Sequence, residues 1–358
     1  MSKPAVILHH YQGSPYAEKV IAALRVKGIP WYSVSTSPMM PRPLLEPLAH
    51  GYRRIPVMQI GNNIYCDTAL ILDELERRYP EDNVSLPSYP GAGAAISEMI
   101  ATWVDKQLFN NVKDQMPWGA TPEEQKLSPL HAAFGNKEFL ADRSQLSGGR
   151  PINTEAIKRA QPLLLDQLIS NLDTLERALQ GPMQALQQNR FPRPEGGWIL
   201  GTVLPSVADF SAYAIVWWLI STKRAPDYVT PHAYPCIFEW YNQMNDCIKR
   251  NKHPTQDRVK ISGEEALQVA RQESKNTNHG FVPINEGVHH QEKRKVGEFV
   301  AVTPNDYGKI PVKGEILEIT HRRVTIRPEP LESHQDINVI IHFPRNGYMI
   351  VPTVKASL

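Results

Sequence analysis

Cysteine is scarce in this 358-residue chain: Cys66, Cys236 and Cys247 stand far apart, with no Cys-x-x-Cys. That spacing excludes a disulfide framework and a thiolate zinc site. No run of about 18 apolar residues occurs, so no membrane-spanning helix is expected. The opening Met-Ser-Lys-Pro-Ala-Val-Ile-Leu-His-His ends its apolar run at two histidines. It falls short of the roughly 7–15-residue core of a signal peptide. An excess of charge of one sign is also lacking: 39 Lys+Arg stand against 37 Asp+Glu, a net +2. A chain built to grip phosphate backbones carries a marked basic excess. What is present is a 41% hydrophobic content, enough for a sizeable core, and 31 prolines without a Gly-X-Y period. These imply many turns and exclude both disorder over most of the length and a fibre. The expectation is a soluble, reduced, cytoplasmic protein with no nucleic-acid or membrane partner. His9-His10 and His289-His290 are adjacent pairs. Neighbours on a strand point to opposite faces, so neither pair makes a chelate and no metal is expected.

Residues 1–85 read as an α/β unit. Val6-Ile7-Leu8 is a short strand, Gly13-Ser14-Pro15 a corner, and 16–27 a helix whose Ala17, Val20, Ile21 and Leu24 fall at helical spacing. Gly28 stops it. Trp31-Tyr32-Ser33-Val34 is a second strand, and the proline-rich 39–47 an irregular loop. Residues 56–60 and 62–65 read as a hairpin at Gly61-Asn62, and Asp67-Thr68 opens a helix over 69–78. Residues 86–95 form a linker; its Gly91-Ala92-Gly93 follows no strand and so is no dinucleotide loop. Residues 95–260 read as helical, most clearly over 96–109, 154–179, 206–220 and 235–249. The polar stretch 263–295 reads as a second linker. From 296 the pattern alternates with period two, and Asn346-Gly347 signals a hairpin. A small β-rich unit over 286–358, an SH3-like barrel or a curled sheet, is the expectation.

Three local constellations carry possible chemistry. Ser14 before Pro15 is a good helix start in its own right. The same corner, a hydroxyl with a helix dipole behind it, can also hold a thiolate. Arg54-Ile55-Pro56-Val57 places a proline at the head of a strand, either an ordinary edge-strand proline or a cis bond whose flanking backbone pairs with an extended peptide. Asp67-Thr68 ends a strand and starts a helix. It can simply cap that helix, or take the carboxylate and ammonium of a zwitterionic ligand. Cys66 reads as a small buried hydrophobe.

Taken together, these segments resemble the cytosolic glutathione transferase superfamily. The β-α-β-β-β-α order, Ser-Pro-Tyr-Ala-Glu-Lys-Val at 14–20, Arg-Ile-Pro-Val at 54–57 and Asp-Thr at 67–68 are similar to its thioredoxin-like N-terminal domain. The helical region resembles its C-terminal domain, with Leu204-Pro-Ser-Val-Ala-Asp209 in the place of its capping box. The likeness is nearest to a serine-type bacterial and fungal branch with Leu-His-His-Tyr, Met-Pro-x-Pro, Gly-Tyr-Arg-Arg-x-Pro-Val and Ile-Tyr-Cys-Asp-Thr, here at 8–11, 40–43, 51–57 and 64–68. It covers about 1–260.

The resemblance implies glutathione as co-substrate and no metal. It places Ser14 at the thiolate, with Tyr11 as its competitor. Ile55 and Pro56 would meet the cysteinyl backbone, Arg54 the glycyl side, and Asp67 and Thr68 the γ-glutamyl end. Trp103 and Trp118 are candidates for the pocket of a small electrophile. A homodimer is implied, acting in detoxification or secondary metabolism. Conjugation, isomerisation or lyase chemistry, and a non-catalytic scaffold, all fit this resemblance. The β-rich end departs from the family. Its ten Lys/Arg and nine Asp/Glu over 286–358 argue against nucleic acid. About 60 residues are marginal for independent stability, so the unit is expected to dock on the helical body and narrow the choice of electrophile.

Overall fold

The first unit runs β1 (Val6–His10), α1 (Pro15–Val26), β2 (Trp31–Ser35), α2 (Glu46–Ala49), β3 (Val57–Ile60), β4 (Asn63–Cys66) and α3 (Thr68–Arg78). The structure, a computed structural model, describes residues 5–80, 92–187, 196–275 and 294–354. The Asn83-Val84-Ser85 sequence, a glycosylation sequon by pattern, His289-His290 and most of the stretch 276–295 lie outside them. β1 pairs in parallel with β2 and antiparallel with β3, which pairs antiparallel with β4. All five residues of β1 are buried, as they must be in a strand covered on both faces. Val6 and Leu8 face the core under α1 and α3, while Ile7 packs on the opposite face with Ala266.

The helical part comprises α4 (Ala92–Trp103), α5 (Phe109–Asp114), α6 (Pro129–Gly135), α7 (Lys137–Leu146), α8 (Thr154–Gln187), α9 (Val207–Ser221) and α10 (Pro235–Asn251). A π-type turn, Val104–Leu108, joins α4 to α5. Asp209 is fully buried and holds the start of α9: its carboxylate accepts from Ser206 N at 2.8 Å and Ser206 Oγ at 2.7 Å. It also accepts from Ile199 N and Trp240 Nε1, both at 2.9 Å. Buried Lys19 of α1 reaches Asp105 at 3.3 Å, tying this body to the first unit.

The stretch 263–295 is not simply a linker. After β5 (Val259–Ile261), which pairs with β2, it begins with α11 (Gly263–Ser274). Ser262 Oγ accepts from Glu265 N at 3.1 Å, and the Glu265 carboxylate accepts from Ser262 N at 2.7 Å, a capping box. Ala266, Leu267 and Ala270 are buried. Their spacing is a narrow apolar stripe in a polar sequence, and it covers the second face of the sheet.

The C-terminal strands are β6 (Phe299–Pro304), β7 (Val312–Ile319), β8 (Arg323–Arg327), β9 (Ile340–Pro344) and β10 (Tyr348–Pro352). They continue the first sheet, in the order β10-β6-β7-β8-β9-β4-β3-β1-β2-β5. The joint is parallel: Asn63, Ile64 and Tyr65 of β4 pair with Ile340, Ile341 and His342. The Asn346-Gly347 hairpin expected from sequence does not form, because β10 pairs with β6. Gly347 does take the positive φ of a turn, +83°. Only 345–347 join β9 to β10, a reach of about 14 Å from Pro344 to Tyr348. A flat sheet would hold the outer strands of this five-strand run about 19 Å apart, so the sheet curls.

Docking also differs from the expectation. The main core of this region is shared with the first unit: Leu45, Leu48, Tyr52, Val57, Ile64, Cys66 and Leu267 pack with Val300, Ile316, Ile326, Ile341 and Phe343. An open β4 edge and a ready apolar face are better partners than the closed helical body. Contacts with that body are fewer and polar, such as Gly308 N to Leu146 O at 2.7 Å and an Arg322–Glu98 ion pair.

Candidate functional site

Strand register brings the three constellations to one place. His9 pairs with Val57, and Val57 with Cys66. The segments just beyond these residues, 11–14, 54–56 and 67–68, therefore share one end of the sheet. Ser14 is the N-cap of α1, 3% exposed, and its Oγ accepts from Ala17 N at 3.2 Å. Pro15 fills the first helical position, where no N–H is needed. A hydroxyl that accepts one bond still has its own O–H to donate. Tyr11 is half-buried beside this corner. The Ile55–Pro56 bond is cis, as is Met40–Pro41.

Asp67 caps α3 in an unusual backbone conformation, φ +78°, with its carboxylate accepting from Ala69 N at 3.0 Å. Thr68 follows, buried. Arg54 lies 3.7 Å from the Asp67 carboxylate. The neighbouring Arg53 is anchored on Asp142 of α7, and buried Arg42 donates to the Arg53 carbonyl at 2.7 Å.

Sequence reasoning missed the residues that meet this corner from the far end of the chain. Asp306 pairs with both Arg54 and Lys106. The Tyr307 carbonyl accepts from Arg54 Nε at 3.1 Å and Nη2 at 2.6 Å. The Tyr307 ring lies 4.1 Å from the guanidinium, a cation–π stack. Tyr348 donates to Asp67 Oδ2 at 3.3 Å, and its hydroxyl lies 2.7 Å from that of Tyr52. Burial opposes the Arg54 charge, but Tyr52, Tyr307, Tyr348 and Asp306 outweigh it and raise its pKa. Burial likewise opposes the Asp306 charge, and Lys106 and Arg54 overcome it, holding the carboxyl below its ordinary range. Asp105 is pushed up by burial, and its Oδ1 is buried with no hydrogen-bond partner among the described residues. Tyr16, next after Pro15, is also raised by burial, with Tyr307 and Asp105 as neighbours. Its ring packs 5.0 Å from Phe109, which stacks on Trp218 at 5.9 Å. None of these residues carries a sequence signal linking it to Ser14.

The two candidate pocket tryptophans have different surroundings. Trp103 donates from its indole to Asn171 at 3.1 Å. Trp118 lines a cavity of about 480 Å³ with Gln115, His131, Lys158, Lys223 and Arg224. None of Ser14, Arg54 and Asp67 lines that cavity. His9 and His10 are buried, bonded to Gln59 at 2.9 Å and Ser33 at 2.8 Å. Cys66 sits in the shared core, its thiol pushed up by burial. No group of three metal-ligating side chains occurs among the described residues, and no helix there is long and apolar enough to cross a membrane.

This architecture is of the glutathione transferase type. Residues 8–83 match the family model described as glutathione S-transferase, N-terminal domain, and residues 125–253 match one described as a domain of unknown function, DUF7962. Among solved structures, a GST-like protein from Pseudomonas syringae is 25% identical, with a TM-score of 0.60 over 99% of this chain and all of that one. The beta-etherase LigF from Sphingobium sp. strain SYK-6 is 17% identical, with a TM-score of 0.46 over 69% of this chain and 98% of that one. Rice GST1 in complex with glutathione is 16% identical, with a TM-score of 0.48 over 77% and 99%. The N-terminal match and the Pseudomonas neighbour support the glutathione transferase superfamily.

Proposed function

We propose that the chain is a glutathione-dependent transferase of the serine type. The observation that carries this reading is the alignment of Ser14, Ile55–Pro56 and Asp67–Thr68 at one sheet end, fixed by the pairing of His9, Val57 and Cys66. Glutathione is an extended zwitterion with a thiol at its centre. Ser14 donates its O–H to the thiolate, and the α1 dipole adds positive potential behind it. A pKa drop of about 2 units needs about 3 kcal/mol, within reach of these two effects. Ile55 and Pro56 present backbone to the cysteinyl part. Asp67 and Thr68 take the γ-glutamyl end; Arg54, 3.7 Å from Asp67, lies at that same end and takes its carboxylate rather than the glycyl one that the resemblance implied. The thiol proton leaves to solvent. The sulfur lone pair then forms a bond to the electrophilic carbon, and the leaving group departs with its electron pair.

The reading takes the protein as a cytoplasmic homodimer. Ile96 and Met99, three apart on α4 and 46% and 68% exposed, mark an apolar face for a second copy. The β4 edge is not available, because β9 occupies it. Sedimentation at twice 40.4 kDa supports this assembly, and a monomer that binds glutathione removes it. One observation favours a second reading, a non-catalytic scaffold: Arg54 and Asp67 already have partners within the chain. The test is calorimetric titration with glutathione, followed by conjugation to a chloronitrobenzene. Saturable binding and thiol-dependent turnover are expected. No binding at millimolar glutathione overturns the transferase and favours the scaffold.

A further inference from the structure

Resting on that reading, we propose that the turn at 305–310, between β6 and β7, is a displaceable cap on the glutathione site. It offers Arg54 a carboxylate that glutathione must replace. Asp306 stands where an incoming carboxylate belongs, bonded to Arg54 and shared with Lys106. The Tyr307 carbonyl takes two further guanidinium N–H bonds, and its ring covers the flat face of the same group. Beside the cap, the Tyr348 hydroxyl donates to Asp67, the group assigned to an incoming ammonium. The chain thus supplies its own partners to both charged recognition groups.

Two features distinguish a cap from a permanent filling. The turn is held mainly by polar contacts: Asp306 side-chain exposure is 28%, and Gly308 is tethered by one backbone bond to Leu146. Such charge-assisted bonds can be exchanged for equivalent bonds to a ligand. Asp105, an electrostatic neighbour of Tyr307 and Asp67, has its Oδ1 buried without a donor among the described residues. A buried acceptor left unmade is costly, so a donor group reaching it on ligand entry is favoured. The closed arrangement therefore leaves a buried acceptor that a donor group would complete.

If the site must open before glutathione enters, the apparent affinity is the intrinsic one scaled by the open fraction. Asp306→Asn keeps the shape and removes the charge; Tyr307→Ala removes the stack. Each should tighten glutathione binding, by about tenfold for the loss of one charge-assisted contact. The experiment is calorimetric titration of full-length wild type and both variants. Hydrogen exchange over 304–311 is followed with and without glutathione. The cap predicts tighter binding by the variants, and faster exchange in this segment when glutathione is bound. Wild-type binding with unchanged or weaker binding by both variants overturns the cap and leaves the transferase reading standing. So does glutathione-induced protection of the turn, which would make it a wall of the site. If neither wild type nor variants bind glutathione, the transferase reading fails and the cap with it.

Discussion

Removing Glu74 should cost far more stability than removing Arg323, although the two form one buried pair. Glu74 of α3 is fully buried and accepts from three guanidinium groups. Arg77 reaches it at 2.7 and 3.0 Å, Arg323 at 3.1 Å, and Arg78 closes the cluster. Arg323, whose side chain is 4% exposed, keeps a second contact with Asp73 at 3.4 Å. Arg323→Met leaves Glu74 two cations and retains most of the packed stem. The loss is then about one charged hydrogen bond, roughly 1.5–3 kcal/mol. Glu74→Gln removes the one buried anion that three guanidinium groups share, and leaves Arg323 only the longer contact to Asp73 at 3.4 Å. Arg77 and Arg78, with side chains 40% and 21% exposed, can turn toward water, but Arg323 cannot. Removing the fully buried partner of such a pair costs about 3–5 kcal/mol.

The same cluster sets a pH dependence. Burial alone would raise the Glu74 carboxyl, but the arginines hold it down, from its ordinary 4.5 to about 2. A depressed carboxyl contributes stability that is complete above pH 4.5 and lost as pH falls through about 2. At about 1.4 kcal/mol per unit, the contribution is about 3 kcal/mol. Urea unfolding at pH 7 should therefore rank wild type, then Arg323→Met, then Glu74→Gln. The Glu74→Gln deficit should shrink by pH 3, and it should be smaller in an Arg323→Met background. Equal costs for the two variants, or a deficit that does not change with pH, would refute the reasoning.

Three further outcomes follow. Ser14→Ala should lower conjugation at least tenfold, about 1.4 kcal/mol of transition-state stabilisation, while Tyr11→Phe does much less; the reverse pattern in steady-state assays moves the role to Tyr11. Burial lowers His9 and His10 from 6.5 to about 4, and His342 to about 3. Their neutral forms stabilise the fold fully above pH 6.5, so thermal unfolding should show stability falling between pH 6.5 and 4, and His342→Gln should flatten that loss. Phe343→Ala should cost about 3–5 kcal/mol. Because its ring lies 5.8 Å from Tyr52, amide exchange should accelerate in β4 as well as β9; acceleration confined to β6–β10 would separate the two regions.

Local chemistry was legible in the sequence, and long-range pairing was not. Ser14 followed by Pro15, and Ser206 with Asp209, state their helix starts within three residues, and both starts are present. The strands flanking Gly61 declare themselves in the same way. The Ser262–Glu265 capping box is equally local, but α11 shows only Ala266, Leu267 and Ala270 among charged neighbours. That stripe makes sense only once a second sheet face needs covering. The β4–β9 joint has no local signal at all. An apolar period-two strand can pair with any open edge, and the choice of β4 is made by the shape of the assembled core. The same holds for Asp306 on Arg54, which lie 252 residues apart.

This shared construction determines how the C-terminal region can be probed. Removing 294–358 does not isolate its effect on substrate choice. It would also open the β4 edge, expose Ile64 and Cys66, and strip Tyr52 and Leu48 of their packing partners. Such a truncation loses activity for reasons unrelated to the site. Tyr348 makes the difficulty concrete. Its ring packs against the buried Phe343, and its hydroxyl reaches both Tyr52 and Asp67. Changes there mix folding with recognition. Asp306 and Tyr307 belong to a turn that is absent from the core, so substitutions there act on Arg54 while leaving the sheet intact. The coupling between the two ends of the chain is therefore measurable through the turn, one side chain at a time.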